Sequence, residues 1–289
     1  MLIGICGGIC AGKKSVARYL IEKHGFQPLT LQRMSNTPTP TVEKSASDAH
    51  LPGLGPGPLP KHTFDNVSDM LDYATTHWQS SFVMTEIWSE EDLDTLARRP
   101  FFLLVSVDAP ISVRWTRFQA LDVAIRLANP TLEEFVQLDD DAMYDASSRV
   151  AAVPSRAQVK LLNNTSSLNR LYATLDKINL PDQSRLRPTW DHYFMRLASL
   201  AAHRSNCMRR QVGCVLVREK RVISTGYNGT PRGIGNCNEG GCPRCNNAGG
   251  ASGGGVALST CLCIHAEENA LLEAGRERVG GGAVLYCNT

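Results

Sequence analysis

From Leu2 to Ile178 the chain alternates short apolar runs with helix-spaced segments. Parallel strands need a crossover long enough to bring the chain back, and a helix fills it, so this order predicts an α/β domain with a parallel sheet. Leu2–Cys6 reads as the first strand, 81–85 and 101–107 as later ones, and 159–162 as the last. Helical spacing covers 16–23, 111–128, 132–144 and 167–178. Residues 35–62 are rich in Pro, Gly, Ser and Thr and cannot build a core, so they are expected to be a disordered insertion. The first domain is placed at 1–180.

Between the first strand and first helix stands Gly7-Gly8-Ile9-Cys10-Ala11-Gly12-Lys13-Lys14-Ser15, one residue away from G-x-x-x-x-G-K-[ST]. In that pattern backbone N–H groups cradle phosphate, the lysine reaches the terminal phosphates and the hydroxyl holds Mg²⁺. Gly7, Gly12, Lys13 and Ser15 are therefore nucleotide-binding candidates. Lys14 occupies the hydroxyl position and Ser15 comes one residue late, a turn of about 100° on a helix, which weakens the metal-binding half of the motif.

A net charge of +2 gives no strong pull towards nucleic acid or membrane. No apolar stretch approaches the ~18–20 residues of a membrane span. The N-terminus lacks the basic start of a secretory leader. These features predict a cytoplasmic chain, with the nucleus as the alternative, and no nucleic-acid or membrane partner. Eight of the ten cysteines lie from Cys207 onwards, and in a reducing compartment such clustering points to metal more than to disulfides.

A second domain is placed at 188–289, after the proline-bearing stretch 180–188. It reads as helix 190–203, strands 210–217 and 221–227, a glycine-rich loop 229–259, helix 266–274 and strand 282–287. At the start of its second helix stands His265-Ala266-Glu267. Hydrolytic deamination of a pyrimidine needs an activated water and a proton shuttle. Zinc supplies the first, held by a histidine and two thiolates with an open fourth position. A glutamate beside the metal supplies the second. At a helix start both side chains can face one site, with His265 as ligand and Glu267 as shuttle.

The run Cys263-Ile264-His265-Ala266-Glu267-Glu268-Asn269-Ala270-Leu271-Leu272 resembles the signature of deoxycytidylate (dCMP) deaminases. So do Arg209-Arg210-Gln211-Val212-Gly213-Cys214-Val215-Leu216-Val217 and Ser224-Thr225-Gly226-Tyr227-Asn228-Gly229-Thr230-Pro231. The resemblance covers 188–289 and implies a cytidine-deaminase-like α/β/α domain that converts dCMP to dUMP with Zn²⁺. It also implies a homo-oligomer responsive to dCTP and dTTP, and Asn228 as a substrate contact. Arg204 and Ser205, at the end of the first helix, are candidate phosphate contacts, with plain surface charge as the alternative. Asn228-Gly229 is equally a turn dipeptide, and a substrate loop can be both. The family's Pro-Cys-x-x-Cys would follow Thr289, where this sequence stops, and Cys287 lies just upstream of the expected ligand position. The expectation is a C-terminally truncated chain, inactive as it stands. A degenerate chain is the other explanation, disfavoured because the motif is intact up to its last residue.

Cys237, Cys242 and Cys245 form a Cys-x-x-Cys with a third cysteine nearby, a zinc knuckle whose fourth corner falls to Cys261 or Cys263, with Cys263 preferred. It resembles the extra zinc of some dCMP deaminases. The first domain, through its glycine loop and Phe101-Phe102-Leu103-Leu104-Val105-Ser106-Val107-Asp108-Ala109-Pro110-Ile111-Ser112-Val113-Arg114, resembles small P-loop kinases, in the degraded form that fungal dCMP deaminases carry. The rival readings are a P-loop phosphotransfer protein, or a non-catalytic regulatory subunit, with a vestigial deaminase domain.

Overall fold

A computed structural model describes residues 1–32, 62–121, 130–144, 150–165, 167–246 and 258–289. Two compact units follow one another, Met1–Leu186 and Arg187–Thr289.

The first unit is built on six parallel strands: β1 (Leu2–Cys6), β2 (Gln27–Leu31), β3 (His62–Phe64), β4 (Phe82–Met84), β5 (Phe102–Asp108) and β6 (Val159–Leu162). They lie in the order β3-β2-β4-β1-β5-β6. Every residue of β1 is buried, as a central parallel strand covered on both faces must be. Alternation along the strands sends Ile3, Ile5, Leu103, Val105 and Val107 to one face, against α1 (Lys13–His24). Leu2, Cys6, Phe102 and Leu104 go to the other, against α2 (Val67–Thr76) and α3 (Glu90–Ala97). The remaining helices are α4 (Ile111–Gln119), α5 (Leu132–Tyr144) and α6 (Leu168–Ile178).

Four of these elements are absent from the sequence reading. Pro28 demotes β2 as a strand, yet β2 lies inside the sheet between β3 and β4. His62 was assigned to the insertion, but it opens β3; 35–61 lie outside the described residues. Helices α2 and α3 carry legible starts: Asn66 accepts from the Asp69 N–H at 2.8 Å, and Ser89 from the Asp92 N–H at 3.0 Å. The helix expected over 111–128 is described only to Gln119, and 122–129 lie outside the described residues.

In the second unit, α7 (Trp190–Ala202), β7 (Gly213–Arg218) and β8 (Arg221–Tyr227) are followed by the one-turn α8 (Pro243–Asn246), by α9 (Ala266–Ala274), α10 (Arg276–Val279) and β9 (Val284–Cys287). The sheet is antiparallel in the order β8-β7-β9. Val215 and Val217 pack on Phe194 and Ala198 of α7, while Cys214 packs on Ala266 and Ala270 of α9. One helix therefore covers each face, an α/β/α layering.

Two glycines let the helices come this close. A Cβ on Gly213 would lie 2.1 Å from the Ala198 carbonyl oxygen, and one on Gly226 would lie 2.1 Å from that of Ala266. Because the obstacle is backbone, α9 would have to move bodily. Gly226→Ala is expected to cost about 1–3 kcal/mol, read by chemical denaturation, and to displace the helix start that carries His265. A loss within about 0.5 kcal/mol, the range of neutral surface changes, would show that α9 is not seated on Gly226.

Candidate active site, cysteine cluster and glycine loop

His265 is the N-cap of α9, with extended backbone (φ −72°, ψ 154°) and an exposed side chain. Glu267 stands in the first turn, half-buried. The helix start is fixed twice over. From beneath, the Ser224 hydroxyl donates to the Ala270 carbonyl at 2.7 Å, and the Asn269 amide donates to the Tyr227 carbonyl at 2.8 Å. From the side, Gly229 and Ile264 exchange backbone hydrogen bonds of 3.3 and 3.0 Å. That bridge brings the Asn228 loop against the residue preceding His265.

The Cys287 thiol, on β9, donates to Glu267 Oε1 at 3.0 Å. This bond is the main reason the Glu267 carboxyl lies below the ordinary carboxylate range. Burial and the Glu267 carboxylate push the Cys287 thiol up to about 12, so the thiol keeps its proton and remains a donor. The sequence reading saw Cys287 only as a residue short of the ligand position; what it missed is the contact with Glu267, which needs the register Cys214↔Cys287 between β7 and β9.

Asn228 is held from three sides. Its Oδ1 accepts from the Ser205 hydroxyl at 2.6 Å and from the Val212 N–H at 2.9 Å, and its Nδ2 donates to the Arg210 carbonyl at 2.8 Å. The same Ser205 proton is shared with the Asn228 carbonyl, 2.8 Å from the hydroxyl oxygen. Both expected substrate contacts thus sit in one clasp joining the end of α7 to β7 and β8.

Cys237, Cys242 and Cys245 pack together with Cys207, Cys261 and Cys263, all as free thiols. The structure does not single out the expected set of Cys237, Cys242, Cys245 and Cys263. Instead it groups Cys207, Cys237, Cys245 and Cys263, and separately Cys242, Cys245, Cys261 and Cys263, with the four sulfurs of each group within 4.8 Å of one another. Cys207 was missed because it stands alone in sequence, 30 residues before Cys237; only folding brings the end of α7 beside the loop. Tetrahedral zinc with Zn–S of about 2.3 Å spaces its sulfurs by about 3.8 Å, and the observed Cys245–Cys261 and Cys245–Cys263 separations are each 3.9 Å. The cluster fits zinc. His265 belongs to no group of three or more close metal-ligating side chains among the described residues.

The glycine loop of the first unit is engaged with its own protein. The Ile9 N–H donates to Asp139 Oδ1 at 2.9 Å, and Asp139 Oδ2 pairs with Arg114 at 2.6 Å. Lys13 Nζ turns back to the Gly7 and Gly8 carbonyls at 2.6 and 3.2 Å. Arg117 donates to the carbonyls of Cys10 and Ala11 at 3.1 and 3.0 Å. Gly7 and Gly12 hold φ of 146° and 111°, and a Cβ on Gly7 would meet the Val107 oxygen at 2.0 Å. Ser15 sits in the first turn of α1. The sequence reading named neither Asp139 nor Arg117, and quoted Arg114 only as the end of a kinase-like stretch, because their contacts with the loop span more than a hundred residues.

The family model for the cytidine and deoxycytidylate deaminase zinc-binding region matches residues 188–289. A deoxycytidylate deaminase of Schizosaccharomyces pombe is 48% identical over 289 residues, covering 99% of this chain and 83% of that protein. One from Saccharomyces cerevisiae is 44% identical over 235 residues, covering 78% of this chain and 72% of its own length. A deoxycytidylate deaminase of Mycobacterium phage D29 is 45% identical over 102 residues, 35% of this chain and 77% of that protein.

Proposed function

Because the chain belongs to the deoxycytidylate deaminase family, we propose that its second unit carries the histidine and glutamate of a centre that converts dCMP and water to dUMP and ammonia. The observation that supports this most is the paired placement of His265 at the cap of α9 and Glu267 in its first turn, with the Asn228 loop bridged to Ile264. Glu267 would take the first proton of the attacking water and pass it to the ring nitrogen, then carry the proton of the added hydroxyl to the amine, which leaves as ammonia as the ring carbonyl forms. His265 would ligate zinc, the metal of the matched family region, which supplies the activated water when bound. Asn228 and Ser205 would orient the nucleotide. Cys237, Cys242, Cys245 and Cys263 would hold a structural zinc.

A homo-oligomer with dCTP and dTTP as effectors, acting in the cytoplasm, completes the reading. Leu271 and Leu272 on the outer side of α9, 42% and 68% exposed, are the kind of surface a neighbouring subunit covers. No helix of the described residues is long and apolar enough to cross a membrane. The phosphotransfer alternative draws no support from the glycine loop, whose Ile9 N–H is taken by Asp139 and whose lysine is turned back on the loop.

The test compares two polypeptides. One comprises these 289 residues; the other carries an added C-terminal segment that contains a Pro-Cys-x-x-Cys. With zinc supplied, the first is expected to release no ammonia from dCMP and the second to turn over. Turnover by the shorter chain would show that it needs no further zinc ligands. A well-folded, zinc-loaded extended chain that leaves dCMP untouched would overturn the reading.

A further inference from the structure

We propose that Cys207, Cys237, Cys242, Cys245, Cys261 and Cys263 form one binuclear zinc–thiolate cluster, in which the sulfurs of Cys245 and Cys263 bridge two ions. This deepens the structural zinc of the reading above and rests on it.

The argument begins with the overlap of the two four-sulfur groups. Each group alone has the compactness of a tetrahedral site, and they share two members, Cys245 and Cys263. Two tetrahedra with two common corners share an edge, and the sulfurs on that edge, 3.9 Å apart, stand close to the ~3.8 Å expected of zinc thiolates. The corners on either side keep the same spacing. Cys207 lies 4.0 Å from Cys245 in the first group, and Cys242 and Cys261 lie 3.9 Å apart in the second.

A single ion cannot use this arrangement, because it fills one tetrahedron and strands two thiols of the other. In the first group it would leave Cys242 and Cys261 unligated; in the second, Cys207 and Cys237. Two ions use all six sulfurs. Charge does not oppose the second ion, since two dications against six thiolates leave the same net charge as one dication against four.

Backbone donors follow the division between bridging and terminal sulfurs. The Met208 N–H points to Cys237 Sγ at 3.5 Å, and the Leu262 N–H to Cys242 Sγ at 3.4 Å. Each group thus has a terminal sulfur, bound to one metal only, that accepts from the backbone. Thiolates that bridge spend their lone pairs on the second ion. The local chain is shaped for this: Cys242 precedes the single turn of α8, Cys245 lies within it, and the Asn246 amide ties that turn to the Cys237 carbonyl at 2.8 Å. Cys263 is two residues from His265, so the cluster also anchors the approach to the helix cap.

The experiment uses the full chain carrying His265→Ala, so that no ion is counted at the helix cap. Zinc is measured per chain after dialysis, and cadmium-113 is then substituted for NMR. Two ions per chain are expected, with two cadmium resonances split by coupling to each other through the shared sulfurs. Cys261→Ser, which touches only the second group, and Cys207→Ser, which touches only the first, should each leave one ion. Should those variants fail to fold, the cadmium coupling in the chain with all six cysteines decides by itself. One ion, or two uncoupled resonances, would overturn the binuclear cluster and leave a mononuclear structural zinc standing. No bound ion at all would overturn both.

Discussion

In the chain extended through Pro-Cys-x-x-Cys, Glu267→Gln lowers kcat for dCMP by roughly 10²- to 10⁴-fold, the span expected for losing a positioned acid–base group. Glutamine keeps the size of the side chain and an acceptor for the Cys287 thiol, so the packing of α9 survives. What it cannot do is receive a proton and return it. The wild-type carboxyl is suited to that task because the Cys287 thiol, donating at 3.0 Å, holds it in its ionised form, ready to accept. In the proposed centre Glu267 would touch the reacting water and ring rather than the phosphate, so KM should change far less than kcat. Steady-state ammonia release by wild type and variant checks both quantities. A loss of less than about tenfold would show that another group carries the proton, since even a single well-placed acid or base is worth more than that.

The sequence made the candidate site legible wherever its residues are neighbours along the chain. His265 and Glu267 are two apart, and the helix they open was placed at its observed bounds of Ala266–Ala274. Helix 132–144 and strand 159–162 were also placed at their observed ends, because apolar periodicity there has no competing signal. Legibility failed where folding joins distant segments. Nothing near Cys207 announces that it will meet Cys245, and nothing near Asp139 announces that it will accept from Ile9. It failed for a different reason at β2, where Pro28 costs a backbone donor yet is tolerated inside a parallel sheet. At α2 and α3 the capping residues Asn66 and Ser89 were present in the sequence, but short helices with modest apolar stripes drew no assignment.

Asp139→Ala is expected to destabilise the Met1–Leu186 unit by about 3–5 kcal/mol, the usual cost of stripping one partner from a buried ion pair. Arg114 and Asp139 expose only 12% and 11% of their side chains, so water cannot replace the lost carboxylate without opening the loop. The Ile9 N–H loses its acceptor in the same step. Removing both charges should hurt less than removing one: Arg114→Met with Asp139→Leu fills the space with apolar atoms and leaves no orphaned guanidinium. Urea denaturation of the full chain, with the transition of the first unit resolved from that of the second, gives the three stabilities. The loop geometry adds a second readout. In the wild type the carboxylate occupies the place on the Ile9 N–H that a phosphate oxygen would take in a phosphate-binding loop. Inorganic phosphate should therefore raise the stability of Asp139→Ala, by pairing with Arg114 and Ile9, and leave the wild type unchanged. A cost below about 1 kcal/mol, as for a surface ion pair, would mean that the pair is solvated. Equal stabilisation of both proteins by phosphate would mean that Asp139 does not close the loop.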